Sequence, residues 1–484
     1  MDATNSSKKG SHHGFILLLI SLATFMGALD ATIVNISLPT MSKYFQCDIA
    51  TVSWVAMAYL LVLSGTLITF GRVADIHGYK KIYLAGFAIF TVGSILCGLS
   101  STIYMLIGFR ILQGAGAAML QAIGGAMVVR YLPEKFRGTA FGVLTTSAAV
   151  GLAAGTPLGG FISQFYSWHW IFFINVPVGI MAVIIGTTVL PGDAGEFGDG
   201  KLDIAGAGML LIALVSFIFF LNMGNNIGWL SWGILITIII SAAAWVGFIF
   251  YEKRARSPLI DINLFRHKYF TMAVIVALII LLVGQGSWYV FPFYLELGKG
   301  FATNIAGLVL LVATFFMMIF GPLSGFLSDR IGARPICVLG SVILVAAFVM
   351  FSFMGANTGL IYIITALALE GIGIGLIMPA NFNLIMGMSA RGSEGVINSL
   401  VTTMRNVGAV MGIAFFTFIF LSVIASQGVS PEGITPHSLP PKAFTYGLHA
   451  VFIFGAALGG VLLVLNIASS GKKRAPGQPG NTKH

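Results

Sequence analysis

Fourteen separate stretches of this chain are apolar for long enough to cross a bilayer, and that recurrence constrains the fold more than any motif does. They run near 15–37, 52–70, 82–100, 103–128, 139–164, 171–189, 204–222, 229–250, 271–294, 305–327, 335–354, 360–385, 396–423 and 448–469. A hydrocarbon layer of roughly 30 Å takes about 20 helical residues to cross. Inside it every backbone N–H and C=O must be satisfied within the segment, which for blocks of this length means α-helix. Charge agrees, because Asp, Glu, Lys and Arg make up 9% of the 484 residues, against roughly 25% in a soluble domain. The expected fold is an all-α polytopic membrane protein; a secreted enzyme, a disordered chain and a nucleic-acid-binding domain are excluded. The first block is no cleaved signal peptide, since it is long, lacks a small-x-small site and feeds directly into further spans.

The net charge of +10 reads as sidedness and needs no polyanionic partner. With the N-terminus inside, the inner segments hold 21 of the 26 Lys and Arg, among them Lys8, Lys9, Arg72, Lys80, Lys81, Arg130, Arg330 and Arg334. The outer loops hold three, Lys43, Lys299 and Lys442, and two, Arg110 and Arg405, stay in the membrane. Positive charge collects on the cytoplasmic side, so both termini are expected there. The polar tail 470–484 reads as disordered.

An internal repeat supplies the architecture. Gly71-Arg-Val-Ala-Asp75-Ile-His-Gly78-Tyr-Lys80 returns as Gly325-Phe-Leu-Ser-Asp329-Arg-Ile-Gly332-Ala-Arg334, 254 residues later. Thr145-Thr146, Val150-Gly151 and Gly155 return 257 residues on as Thr402-Thr403, Val407-Gly408 and Gly412. Gln113-Gly114-Ala115-Gly116 likewise answers Glu370-Gly371-Ile372-Gly373. Spans 1–6 and 9–14 are therefore two copies of one six-helix unit, with spans 7 and 8 inserted, and such parallel repeats face each other across a midplane cavity. The expected division is a cytoplasmic tail 1–14, a first bundle 15–190, an inserted two-helix linker 191–269, a second bundle 270–469 and a tail 470–484.

With these residues in view, the sequence resembles the major facilitator superfamily, and in particular its fourteen-span drug:proton antiporter branch. Leu29-Asp30-Ala-Thr32-Ile33-Val34-Asn35 to Pro39 resembles that branch's first-helix motif, and Gly71 to Lys81 is similar to the superfamily's inter-helix loop. Arg110-Ile-Leu-Gln113-Gly114-Ala-Gly116 resembles the fourth-helix motif, whose Arg the family associates with proton coupling. Gly142, Gly151 and Gly155 to Gly160 resemble the fifth-helix antiporter motif, and Trp168 to Gly179 a further signature. The resemblance implies two six-helix bundles plus two helices, and a multidrug efflux transporter. Two positions depart from it. Thr156 separates Gly155 from Pro157, where the motif sets Pro directly after Gly, and His169 stands where the branch has Arg. The first leaves symport open beside antiport.

An ionisable group inside a span costs at least about 2.5–3.5 kcal/mol on insertion scales, so each marks a functional position. Asp30, Arg110, Glu370 and Arg405 qualify, and we assign them to proton coupling. At about 1.5 Å per residue, Asp30 and Arg110 both lie roughly 10 Å below the outer surface, near enough to meet. Glu370 and Arg405, roughly 15 Å and 13–14 Å from opposite surfaces, both fall near the midplane, so each bundle is expected to hold an acid and a base at one depth. Burial favours a protonated carboxyl and a nearby Arg an ionised one, so a moving Arg can switch an acid's proton affinity. Such pairs can also be static ties between helices.

The expected substrate-binding residues are Asn35, Trp54, Gln113, Gln285, Tyr289, Phe293 and Asn381, with Met57, Tyr59, Trp288, Phe291, Phe315, Phe316, Met378 and Asn383 of the same character. Aromatic faces attract cations and Met adapts its shape, a mixture that suits amphipathic or cationic organic compounds. Gating is expected from Gly71, Arg72, Asp75, Gly78, Lys80 and Asp329 in the loops, and from Gly151, Gly155 and Pro157 in span 5. The Gly-rich runs lie inside spans without a Walker Lys-Ser/Thr, so they are no nucleotide loops. Cys47, Cys97 and Cys337 are scattered, the His residues have no ligand spacing, and no nucleophile–His–acid set occurs, so neither metal, cofactor nor enzyme activity is expected. The expectation is a monomeric carrier in a prokaryotic cell membrane that exports small organic molecules in exchange for protons. A carrier of one metabolite, lipid or siderophore is the alternative; a channel or receptor fits the repeats less well.

Overall fold

The computed structural model describes residues 2–192, 204–255, 267–386, 388, 394–428 and 440–468. These residues form helices and turns, with no strand among them. Fourteen helices are long and apolar enough to cross a bilayer: spans 1–4 are His13–Phe45, Ile49–Leu67, Tyr79–Gly98 and Ile103–Tyr131, and spans 5–8 are Thr139–Phe165, Trp170–Val189, Ala205–Gly224 and Trp232–Glu252. Spans 9–14 are Lys268–Gly298, Thr303–Ser328, Ala333–Phe351, Leu360–Met386, Leu400–Ser426 and Lys442–Ala468. The tail 470–484 lies outside the described residues.

Most ends fall within a few residues of the apolar blocks. Span 1 is the exception, running eight residues past 37 to Phe45 with Pro39 inside the helix. Proline removes one backbone hydrogen bond and normally stops or kinks a helix. Here Leu38, Met41 and Ser42 are fully buried around it, and packing carries the helix through.

The repeat holds at the level of contacts. Gly78 and Gly332 end their helices at φ +102° and +90°, backbone that glycine adopts without a Cβ penalty. Two residues on, Lys80 Nζ donates to the Thr187 and Leu190 carbonyls at 2.9 and 2.6 Å. Its counterpart Arg334 donates to the Asn466 and Ile467 carbonyls at 3.3 and 2.8 Å. Each basic residue thus caps the last helix of its own half, where unpaired carbonyls and the dipole favour a cation. A Cβ at Gly151 or Gly155 would run into span 1, and one at Gly408 or Gly412 into the matching stretch of span 9. Small residues at this spacing let two helix backbones touch.

Within the first half, span 5 packs on span 1 and span 4 on spans 2 and 3; in the second, span 13 packs on span 9 and span 12 on spans 10 and 11. The halves meet along spans 5 and 10 and along spans 2 and 13. Spans 7 and 8 pack on each other, and span 7 lies against spans 2 and 13. Asn222 of span 7 donates to Ser53 Oγ of span 2 at 3.0 Å.

The two ends of the interface differ. At the end holding the 45–49 and 298–303 turns, Tyr289 Oη donates to the Ile49 carbonyl at 3.0 Å, and the Thr303 N–H to Gln164 Oε1 at 3.3 Å. There too, Gly160 and Gly307 bring spans 5 and 10 into backbone contact. Toward the end holding the Gly71–Lys81 loop a cavity separates the halves, lined there by Thr24, Gly125 and Leu144. The halves are closed at the first end and parted at the second.

Candidate functional site

Between the halves lies a cavity of about 300 Å³. Its walls come from spans 1–5 of the first half and spans 9, 10, 12 and 13 of the second, and its lining reaches from Tyr59 and Trp288 toward the parted end at Thr24, Gly125 and Leu144. Polar groups are few: Thr24, Tyr59, Gln121, Gln285, Arg405 and Asn406. Gln121 and Asn406 face each other across the halves at 3.5 Å.

Behind Tyr59 sits a closed ionic cluster. Asp30 and Arg110 are 0% and 1% exposed, and Arg110 Nη1 donates to Asp30 Oδ2 at 2.7 Å. The same nitrogen donates to Gln113 Oε1 at 2.7 Å, and Arg110 Nε to the Val55 carbonyl at 2.9 Å. Gln113 Nε2 donates to Asp30 Oδ1 at 3.1 Å and to Ser94 Oγ at 2.9 Å. The Tyr59 ring lies over the guanidinium at 4.1 Å and also lines the cavity. Four spans thus converge on one carboxylate whose two oxygens both accept hydrogen bonds from Arg or Gln. A buried ion pair survives desolvation only with this kind of geometry and saturation.

In the second half, Glu370 is 0% exposed. Its Oε1 accepts a hydrogen bond from Ser287 Oγ, while its Oε2 has no hydrogen-bond partner among the described residues. Arg405 does not reach it. Instead Arg405 lines the cavity and donates to Met378 Sδ at 3.5 Å. The pair expected at one depth is therefore not made, for a geometric reason. Met378 stands eight residues along span 12 from Glu370, about 12 Å on the helix axis.

A model of the Major Facilitator Superfamily matches residues 20–413. The chain belongs to the major facilitator superfamily. It is 32% identical over 408 residues to the riboflavin transporter RibZ of Clostridioides difficile (strain 630), covering 84% of this chain and 88% of that one. To the multidrug transporter protein MdtP of Bacillus subtilis (strain 168) it is 27% identical over 445 residues, covering 91% and 82%. Its fold matches a crystal structure of the peptide transporter POT with a TM-score of 0.68, at 14% identity and 94% coverage of both chains. As in the other superfamily members it resembles, the chain is a transporter and not an enzyme.

Of the seven expected substrate contacts, Gln285 lines the main cavity. Asn35 lines a small neighbouring chamber with Thr156 and Trp288, and Asn381 another with Met378 and Arg405. Gln113 belongs to the ionic cluster. Trp54 faces Phe219 of span 7 at 6.2 Å. Tyr289 and Phe293 pack together at 5.4 Å in the closed end. Gln121 and Asn406 escaped notice in the sequence because single amides in long spans carry no motif. In the loops, Arg72 pairs with Asp75 at 3.7 Å and Tyr79 Oη donates to Asp75 at 2.5 Å. Gly71 has room for a side chain. The Asp329 side chain lies outside the described residues. Pro157 is inside the span 5 helix, one residue from the Thr156 carbonyl that packs on Gly307. His169 stacks on Trp168 at 3.8 Å and shares a 2.7 Å hydrogen bond with Ser167, and burial holds its pKa below the usual 6.5. It therefore does not replace the positive charge of the Arg found there in the branch.

Proposed function

We propose that the chain exports small amphipathic organic compounds in exchange for protons by alternating access, as a monomer in a prokaryotic cytoplasmic membrane with both termini inside. In this reading the parted end faces the cytoplasm and the described conformation is inward-facing. The observation that carries it is the Asp30–Arg110–Gln113 cluster, sealed from the cavity by one aromatic ring. A proton reaching Asp30 removes the charge that holds Arg110, frees Gln113 and loosens span 1 from span 4. Proton occupancy is thereby coupled to the packing of helices that line the cavity. Glu370 complements it: an isolated buried charge is costly, so a carboxyl facing Ser287 and no cation is suited to carry a proton in the conformation where Asp30 carries none. Arg110 keeps its proton throughout and acts by position. The loop and span 5 residues (Arg72, Asp75, Gly78, Lys80, Asp329, Gly151, Gly155 and Pro157) set how the helices of each half move together.

Purified protein in sealed vesicles, offered organic cations, anions, neutral drugs and nutrients, tests this reading. Imposing a pH gradient should drive saturable transport and collapsing it should stop it. Asp30→Asn should insert and fold but lose gradient-driven transport; full transport by that variant would remove Asp30 from the mechanism.

A carrier of a single planar metabolite is the second reading, favoured by the 32% identity to a riboflavin transporter. The displaced Pro157 keeps symport within it. One compound transported out of the panel, rather than many, would select it.

A further inference from the structure

The main cavity carries one formal charge among its lining residues, and that charge is positive. Both membrane acids are withdrawn from it. Asp30 is fully engaged by Arg110 and Gln113, and Glu370 is buried against Ser287 one turn beyond the lining residue Ile374. The Arg110 guanidinium lies 4.1 Å behind the Tyr59 ring, so a positive charge backs that wall of the cavity as well. Arg405, by contrast, presents its guanidinium to the cavity, and the acceptor it meets among the described residues is a thioether sulfur at 3.5 Å. A guanidinium has five N–H donors and a thioether is a weak acceptor, so among the described residues most of that capacity is unused. The fold does not require this charge either, because the residue that the repeat sets opposite Arg405, 257 positions earlier, is Ala148, which lines the same cavity.

Resting on the transport reading above, we infer that Arg405 is the docking point for an anionic or strongly electron-rich group of the substrate, and that the cavity takes planar aromatic anions in preference to cations. A carboxylate, phenolate or imide oxygen would accept two parallel N–H bonds from the guanidinium, the geometry that makes Arg–anion pairs strong. Gln285 and Asn406 supply neutral donors on the same side, and Trp288 and Tyr59 give the aromatic body two flat walls. The choice of charge has a consequence for energetics. Moving an anion out while a proton moves in carries positive charge inward on both counts, so an inside-negative potential drives the exchange. One cation exchanged for one proton would be indifferent to that potential.

Fluorescein and rhodamine 6G share a tricyclic xanthene core and differ in charge, which makes them matched probes. In vesicles with an imposed pH gradient, the wild-type protein should move fluorescein with a KM at least about tenfold below that for rhodamine 6G, the size of one charge-assisted hydrogen bond. A valinomycin-set potential, negative on the cytoplasmic face, should accelerate fluorescein. Arg405→Gln should raise the fluorescein KM about tenfold and leave rhodamine 6G within about twofold, while Arg405→Lys keeps most of the preference. A wild-type preference for rhodamine 6G, or an equal shift of both probes in Arg405→Gln, overturns the assignment. Failure of the transport reading looks different: neither probe responds to the gradient. In that case, or if Arg405→Gln does not fold, tryptophan quenching of the wild-type protein by the two dyes decides, and tighter binding of rhodamine 6G rejects the proposal.

Discussion

The two halves share a backbone plan and treat buried charge in opposite ways. In the first half, Asp30, Arg110, Gln113, Ser94 and Tyr59 form one saturated cluster. The repeat places Glu370 at Gln113's position and Leu367 at Arg110's, 257 residues on. At 254 residues, Ala313 answers Tyr59 and Phe348 answers Ser94. The contacts of Gly151 with Phe25 and of Gly408 with Leu278 set span 9 against span 1 at an offset of 253, so Val283 answers Asp30 and Ser287 stands one turn beyond. The second half has therefore exchanged cation, hydroxyl and aromatic lid for apolar groups and kept one carboxyl with one donor. A compensated charge can stay ionised in the membrane interior; an uncompensated carboxyl is stable there as the neutral acid. Duplication of one unit has in this way yielded two acids in different protonation environments, which a transporter can load and unload out of step.

The comparison is broken most severely at Arg110. Arg110→Ala leaves the Asp30 carboxylate buried without its cation, a change that costs about 3–5 kcal/mol in buried pairs. The variant should lose a large part of its thermal stability in detergent and all gradient-driven transport. Asp30→Asn on top of it should restore most of the stability, because the stranded charge is gone, while transport stays absent. A double variant as unstable as Arg110→Ala alone would mean that packing of the Arg stem, and not charge compensation, holds the first half together.

Glu370→Gln sharpens the same contrast with a smaller effect. The amide keeps an acceptor for Ser287 Oγ and the shape of a protonated carboxyl. If Glu370 is neutral in this conformation, stability should change by no more than about 1 kcal/mol, the net scale of one hydrogen bond. Transport should persist with fewer protons per substrate, read as a shallower dependence on the imposed pH gradient. A loss of stability as large as that of Arg110→Ala would show that Glu370 is ionised and that the halves do not differ as argued.

Much of this was legible in the sequence because it was written as periodicity. Span number, the echo of Gly78 in Gly332 and the close approaches at Gly151 and Gly408 follow from hydropathy and spacing, which the backbone obeys directly. The Asp30–Arg110 contact was expected from depths counted from a span 1 end near Pro39; the helix runs on through Pro39, so Asp30 lies fifteen residues, about 22 Å, from its Phe45 end. The long Arg side chain and the Val55 carbonyl, which fixes its direction, make the contact in spite of this. Glu370 and Arg405 do not meet because they differ in height: Arg405 reaches Met378, about 12 Å along span 12 from Glu370. Tyr289, Phe293 and Trp54 carry the chemistry of a binding site but face the closed end or span 7. Hydropathy blocks do not say which side of a uniformly apolar helix meets the cavity, because lipid-facing and protein-facing positions are equally apolar.

The smallest effect separates what the repeat conserves from what it has changed. Lys80 and Arg334 do the same work in the two halves, capping spans 6 and 14 through backbone carbonyls. Lys80→Met and Arg334→Met should each lower stability by about 0.3–1 kcal/mol, the usual worth of a cation at a helix C-terminus. Because the caps are equivalent, the two losses should match within about 0.5 kcal/mol and add in the double variant, as expected of distant sites. Measured melting in detergent gives the sizes, and KM for a transported probe should stay within about twofold, since neither residue lines the cavity. Unequal losses would show that the halves differ in their scaffold as well as in their buried charges. Equal ones would confine the divergence to the acids and the residues around them, which is where a coupling mechanism needs it.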